Sequence, residues 1–488
     1  MREALTRRLV ERAMRRGYTL TRRALELLQA SESPIELLDE AIRELERGKA
    51  GLRLIDEEVL RRLLPEQSKV ESSEEPRRVE EDMDLAIEVD DRYLGEWRIR
   101  GSASEFRSYF RSRYEKLSKI LRERLGSASE LKSFIRLGDG REAYLTAMIL
   151  EKRESGKAWI LRVDDPSAEA TIIVPKVRGL EELAGRVLPD AVAGFKVVKR
   201  DKSLIAEEII LPDIPPRRIE KIRQDAYVCL LSDIHLGSKH FRRDLFESFL
   251  DWINRGRDPE AKRTRVIVVA GDLIDGVGVY PSQDKELEIK SVKEQFELLA
   301  KLLSEIPDRV KLIVGPGNHE PLQKALPQPP LPEKYRKILE RSGKRMIFVG
   351  NPAWIRICGR SFLVYHGQGL DDVIQSAPGF SHSSLNRDIG AILELLLRHR
   401  HLCPIYGEST PILPLEEDLL VIHEIPHVFH SGHVHVAYAG SYRGVRIVNS
   451  GTWQEQTSYQ RSAGLEPTVG TAVLVNLGDL SIKVRRFI

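Results

Sequence analysis

The sequence predicts an α/β protein in which a layered C-terminal domain follows a small β-barrel and a short helical N-terminal module. Three observations carry that expectation. All twelve histidines lie at or beyond His235, so the chain changes character there. Before that point, five short apolar runs between residues 130 and 212 are broken by glycines, an Asp-Pro pair and charged turns, the pattern of a small β-domain. After it, strand-like apolar runs alternate with helical stretches, which calls for helices layered on a sheet.

Residues 1–65 read as the helical module. Leu5, Leu9 and Val10 are followed by Leu20, Leu25, Leu27 and Leu28. Ser33-Pro34 then supplies an N-cap and a first-turn proline for a helix carried by Ile35, Leu37, Leu38, Ala41, Ile42 and Leu45. A third helix, Asp56 to Leu64, stops at Pro65. Residues 66–102, with Glu71-Ser72-Ser73-Glu74-Glu75-Pro76 and further acidic residues, read as a flexible acidic linker. Residues 103–216 read as a helix followed by the barrel. Residues 103–125 predict a basic amphipathic helix whose Phe106, Tyr109, Phe110, Tyr114, Leu117 and Leu121 form a face that packs on the next domain rather than on bases. The strands expected next are Ala143–Leu150, Ala158–Val163, Thr171–Val174, Ala191–Val198 and Ser203–Leu211. Five strands in so short a span suit an OB-like barrel. Leu211-Pro212-Asp213-Ile214-Pro215-Pro216 reads as a stiff connector into the last domain, residues 217–488. There, strands are expected at Ala226–Leu231, Arg265–Ala270, Lys311–Val314, Phe362–Tyr365, Val428–His430 and Ile447–Val448, with helices at Asp244–Asn254 and Lys290–Ile306.

Composition narrows the function. Hydrophobic residues make up 41% and charged residues 31% of the chain, the balance of a soluble globular protein. No apolar run of about 18 residues occurs, so no membrane partner is expected. The arginine-rich start lacks the apolar core of a signal peptide, which points to the cytoplasm. The three cysteines, Cys229, Cys358 and Cys403, form no CxxC pair, which disfavours a disulfide framework and a thiolate zinc site. The formal net charge is only +3, so any nucleic-acid surface must be local.

Five segments carry chemistry: Asp233-Ile234-His235, Gly271-Asp272, Gly317-Asn318-His319-Glu320, His366-Gly367 and Gly432-His433-Val434-His435. Each follows an apolar run, so strand ends are expected to gather their side chains at one sheet edge. Asp233, His235, Asp272, Asn318, His366, His433 and His435 make a set of carboxylates, imidazoles and one amide oxygen. That mixture suits manganese, iron or zinc and is too nitrogen-rich for magnesium or calcium alone. Seven ligands exceed one tetrahedral site and suit two cations bridged by a carboxylate, the arrangement that hydrolyses phosphate esters. Glycines beside the ligands allow sharp turns and close approach. His240, His382, His399, His401, His423, His427 and His430 have no ligand role in this reading.

The ordered set resembles the calcineurin-like metallophosphoesterase superfamily. Within it, residues 103–488 most resemble the small subunit of archaeal family D DNA polymerase. The stretches that carry this resemblance include Leu231 to Ser238, Gly271 to Gly276, Pro316 to Glu320, His366 to Asp372, Arg400 to Gly407 and Trp453 to Thr457. The resemblance implies a sandwich domain of that superfamily behind the OB-like barrel, and a proofreading 3′-to-5′ exonuclease in DNA replication. It implies two divalent ions, manganese first, with iron, zinc or magnesium as alternatives. Asp233, His235, Asp272 and His435 would hold one, and Asp272, Asn318, His366 and His433 the other. His319 would contact the phosphate or protonate the leaving oxygen. The implied partners are a large catalytic polymerase subunit, a DNA primer-template or single strand, and a sliding clamp. This chain carries no P-loop and no recognisable set of polymerase carboxylates, so polymerisation is expected only with the large subunit. Three alternatives stay open: a double-strand-break repair nuclease of the same superfamily, a non-catalytic polymerase scaffold, and a generic phosphatase for small substrates.

Overall fold

The computed structural model describes residues 85–488 apart from 96, 178, 202 and 257, together with residues 6, 9–10, 12–13, 16, 18–31, 33–47, 54–55, 59–60 and 63. The chain divides into two compact units, Met1–Glu81 and Asp82–Ile488. No described helix is long and apolar enough to cross a membrane.

In the first unit, helices Arg22–Ala30 and Pro34–Arg47 bury Ala24, Leu28, Leu38, Ala41 and Ile42 with Leu9, Ile55 and Leu60. Thr21 caps the first of these helices by accepting from the Ala24 N–H. Thr19–Leu20 pairs in parallel with Leu54–Ile55, a contact with no counterpart in the sequence reading. Only Val59, Leu60 and Leu63 of the expected third helix are described, and all three are helical.

The acidic part of the expected linker, residues 66–84, lies outside the described residues. From Leu85 onward the expectation is corrected. Leu85 and Tyr93 are buried, and Ile87–Val89 adds an antiparallel edge strand to Ala353–Ile357. Three strand residues with one outward Glu88 are too few to show an apolar alternation, which is why composition misplaced them.

Ala103–Leu125 is one helix, opened by a Ser102–Glu105 capping box and closed at Gly126. Tyr109, Tyr114, Leu117 and Leu121 are buried, and the rings of Phe106, Tyr109 and Phe110 gather on Tyr406. The aromatic face therefore packs, as its helical spacing predicts. Behind it, Glu142–Glu154, Ala158–Asp165, Ala168–Pro175, Ser203–Ile210 and Val192–Arg200 form a closed five-stranded barrel. Alternate residues such as Leu145, Ala147 and Ile149, or Ala193, Phe195 and Val197, fill it. A short helix, Leu180–Arg186, sits between the third and fourth strands in sequence and sends Ala184 into that core.

The rest of the unit is two six-stranded sheets packed face to face. Strand Tyr227–Leu231 shows how the sequence builds the layers. Val228 and Leu230 enter the core between the sheets, while Cys229 and Leu231 turn out to a layer holding helices Arg243–Arg255 and Val292–Leu303. In the other sheet Phe362 and Val364 face inward, and Leu363 and Tyr365 meet helix Leu385–His399. Both strands are buried on both faces, hence their unbroken apolar runs. All three cysteines are free.

The barrel's leading helix is tied to the sandwich by a buried cluster. Arg113 and Asp418 are both fully buried and pair at 2.8 Å. Arg113 also donates to the carbonyls of Asp190 and Pro404 and to the Tyr109 hydroxyl, while His401 Nε2 lies 2.9 Å from the Asp418 carboxylate.

Candidate metal centre

Strand ends place every segment singled out in the sequence. Tyr227–Leu231 leads to Asp233 and His235, Thr264–Ala270 to Asp272, and Lys311–Gly315 to Asn318 and His319. These three strands are parallel neighbours in one sheet. Arg360–Tyr365 leads to His366, and Val428–Ser431 to His433 and His435; these are parallel neighbours in the other. Parallel pairing puts each set of loops at one edge, and the two edges meet.

All eight predicted side chains come together there. Ligand atoms of Asp233, His235 and His435 lie within 4.8 Å of one another, as do those of Asp272, His366 and His433, and those of His235, Asp272 and His319. Asp272 links the groups: its Oδ2 is 3.6 Å from His235 Nε2 and 3.3 Å from His366 Nε2. Asn318 Oδ1 is 2.9 Å from His366 Nε2 and 3.0 Å from His433 Nδ1. His235 and His435 bring their Nε2 atoms to 3.0 Å.

The backbone is strained to achieve this. Asp233, His235, Asp272, His433 and His435 all have φ between 50° and 71°, a region that costs a non-glycine residue about 1 kcal/mol or more. Gly271, at φ 85°, and Gly317 admit the close approach. A Cβ on Gly317 would stand 2.2 Å from Asp272 Oδ1.

Each imidazole has one nitrogen engaged outside the cluster. His235 Nδ1 meets Asp275 Oδ1 at 2.9 Å, His366 Nδ1 the Ala270 carbonyl at 2.8 Å, and His433 Nε2 Asp371 Oδ2 at 2.9 Å. His435 Nδ1 meets the Gln460 amide nitrogen at 2.8 Å, and His319 Nδ1 the Asp275 carbonyl at 2.7 Å. Such outer partners set ring orientation and leave the other nitrogen facing inward. Glu320 is fully buried and accepts from the N–H groups of Gly317, Asp272 and Leu273, joining two of the loops.

The charges are strongly coupled. Burial opposes ionisation throughout, but His235 and His435 hold Asp233 well below the usual carboxylate range. Burial likewise disfavours a charged His366, yet Asp272 pushes it up to about 9. His319 goes the other way: burial lowers it to about 4, so it is neutral at pH 7. Burial and the neighbouring Asp272 push Glu320 up to about 7.

Asp275, Asp371 and Gln460 have no role in the sequence reading, which names Glu320 within a chemical segment without giving it one. The signal available was position, since Asp275, Glu320 and Asp371 each follow a ligand by two to five residues. None of the other seven histidines joins the ligand groups among the described residues. His382 meets the outer partner of His433, with Nε2 3.1 Å from Asp371 Oδ1.

Comparison with known proteins places this arrangement. Residues 228–439 match the family of DNA polymerase alpha/epsilon B-subunits. The chain is 35% identical over 480 residues to the DNA polymerase II small subunit of Archaeoglobus fulgidus, covering 96% of each. It is 37% identical over 422 residues to the protein of that name from Pyrococcus furiosus, covering 83% of this chain and 68% of the relative. The chain belongs to this family, the small subunits of archaeal family D DNA polymerases. A solved archaeal phosphodiesterase superposes over 53% of this chain and 98% of its own with a TM-score of 0.27 and 12% identity, a likeness too slight to bear on function.

Proposed function

We propose that the chain is the nuclease subunit of a replicative DNA polymerase, hydrolysing phosphodiesters from a 3′ end with two divalent cations. The observation that carries this reading is the position of Asp272 Oδ2 between two half-sites, 3.6 Å from His235 Nε2 and 3.3 Å from His366 Nε2. Asp233, His235 and His435 would hold one cation with Asp272, and Asn318, His366 and His433 the other. The donor set fits such a pair: imidazole nitrogens, carboxylate oxygens and one amide oxygen converge, with Asp272 Oδ2 between the two groups. Manganese suits the oxygen and nitrogen mixture, with iron, zinc or magnesium as alternatives. Bound there, two cations supply charge for the phosphate and lower the pKa of a water.

The chain's own residues do the rest. Asp275 and Asp371 fix the His235 and His433 rings, and Glu320 holds the loops that present Asp272 and Asn318. His319 has its Nδ1–H engaged by the Asp275 carbonyl, so its Nε2 is free to meet a phosphate oxygen. To donate a proton to the leaving oxygen it must first gain one, which the arriving phosphate's negative charge favours. The barrel, read as OB-like, would guide a single strand of a primer-template. A large catalytic subunit, and a sliding clamp with it, would complete the machine in the cytoplasm.

The test is digestion of single-stranded and mismatched primers, labelled at either end, by the purified chain with manganese. Stepwise release of nucleotides from the 3′ end is expected, and its loss with a chelator. Absence of cutting by a chain that binds metal would leave a scaffold.

A further inference from the structure

We propose that Tyr459 is a stacking platform for a nucleobase at the mouth of the metal centre, so that the site takes strand ends with unpaired bases. This rests on the nuclease reading above and names what that site recognises beyond the phosphate. Apart from Ile488 at the chain end, Tyr459 is the most exposed large hydrophobic side chain among the described residues, at 69%. Its ring pairs with no other ring among them.

Its neighbours fix where it stands. Tyr459 lies in the short helix Ser458–Ser462, whose start is held by a reciprocal Thr457–Gln460 capping box. Gln460, next in the chain, is buried and touches His435 Nδ1 at 2.8 Å. On the other side, the Ser458 hydroxyl donates to Glu286, which also accepts from the Tyr280 hydroxyl. The Tyr280 ring centroid is 6.2 Å from that of His319. Tyr459 is thus anchored through one neighbour to a proposed ligand and through the other to the loop facing the proposed phosphate contact. In that same loop Val277, two residues past Asp275, is also exposed, at 46%.

A solvent-facing aromatic on an anchored helix beside a phosphodiester site matches what single strands offer. Every base has a flat face, and stacking on an aromatic side chain is tolerant of sequence. A base paired inside a duplex already has stacked neighbours, so the platform favours a frayed or mismatched end. The backbone phosphate alone gains nothing from it.

The experiment uses the full chain with chelator present, so that no strand is cut. Fluorescence anisotropy compares a short oligothymidylate with an abasic oligomer of the same length. Tyr459→Ala should weaken binding of oligothymidylate about tenfold and leave the abasic oligomer unchanged, and Tyr459→Phe should restore the wild-type difference. Equal weakening for both oligomers, no weakening for either, or no binding by the wild type overturns the proposal. A Tyr459-dependent preference in a chain that cuts neither oligomer with manganese keeps the platform and removes the nuclease reading instead.

Discussion

Two clusters of buried charge lie in the second unit, and they solve the problem of burial in opposite ways. Around Asp418 the partners are complete. Arg113 donates to the carboxylate, to two carbonyls and to a hydroxyl, and His401 lies between Asp418 at Nε2 and the Cys403 N–H at Nδ1. Around Asp272 the candidate ligands crowd one another: two imidazole nitrogens face each other at 3.0 Å, two more approach the Asn318 oxygen, and five of the seven backbones are held in a left-handed conformation. A buried ion pair in which every polar side-chain atom has a partner needs nothing further. The second cluster concentrates donors that only positive charge reconciles, which the chain itself supplies by protonating histidines. Burial and a carboxylate–histidine contact are common to both, so they do not distinguish a structural cluster from a functional one. Backbone strain and crowding of potential metal ligands set the second apart.

Substitution should separate the two. Asp272→Ala should reduce hydrolysis to background, because the residue bridges both half-sites, while the thermal melt changes little, since no apolar core is emptied. Near-normal digestion by the variant would remove the site assignment. His319→Ala should slow hydrolysis about 10²–10⁴-fold with metal content intact. Elemental analysis and turnover on one preparation check this, and loss of metal would make His319 a ligand. Asp418→Ala should behave in the converse way. It leaves Arg113 buried without its partner and should cost about 3–5 kcal/mol of stability, with the hydrolysis rate per folded molecule unchanged. Denaturant unfolding beside an activity assay at low temperature measures both.

One histidine from each cluster should also titrate in opposite directions. His366 is raised to about 9, above its unfolded value, so in the metal-free chain its stabilisation is full below about 6.5 and is lost as pH rises through 9. His401 is lowered to about 4 by burial, so its penalty appears as pH falls from about 6.5 toward 4. Melting curves of the chelated protein should therefore decline on both sides. Metal should flatten the alkaline limb only, and binding it at pH 7 should release protons, measurable by calorimetry in buffers of different ionisation enthalpy. Zero proton release would mean that the histidines are already neutral.

How much was legible from sequence follows the same division. The cluster of candidate ligands was readable because each sits just past an apolar strand, and the five barrel strands were readable because turn residues bound them. The Ile87–Val89 strand was not, since three residues beside an acidic stretch show no period. The roles of Asp275, Glu320, Asp371 and Gln460 were hidden because a polar residue's role depends on which loop it meets, and pairing between distant loops leaves no local pattern. The Arg113–Asp418 pair spans 305 residues and was invisible for that reason. The edge strand carries the smallest expected effect. Removing residues 1–81 should leave metal content and hydrolysis in place. Removing residues 1–100 also strips the edge strand and buried Tyr93, at a cost of about 3–5 kcal/mol. Equal melts for the two truncations would restore a linker that runs to residue 102.

The most direct test of the central claim is the metal stoichiometry of the chain, stripped with chelator and titrated with manganese while digestion of a 3′-labelled strand is followed. The account predicts two ions per chain, activity that needs the second, and no activity at any manganese concentration for Asp272→Ala. A wild-type chain that binds no manganese, or an Asp272→Ala chain that binds both ions and still digests the strand, would contradict it.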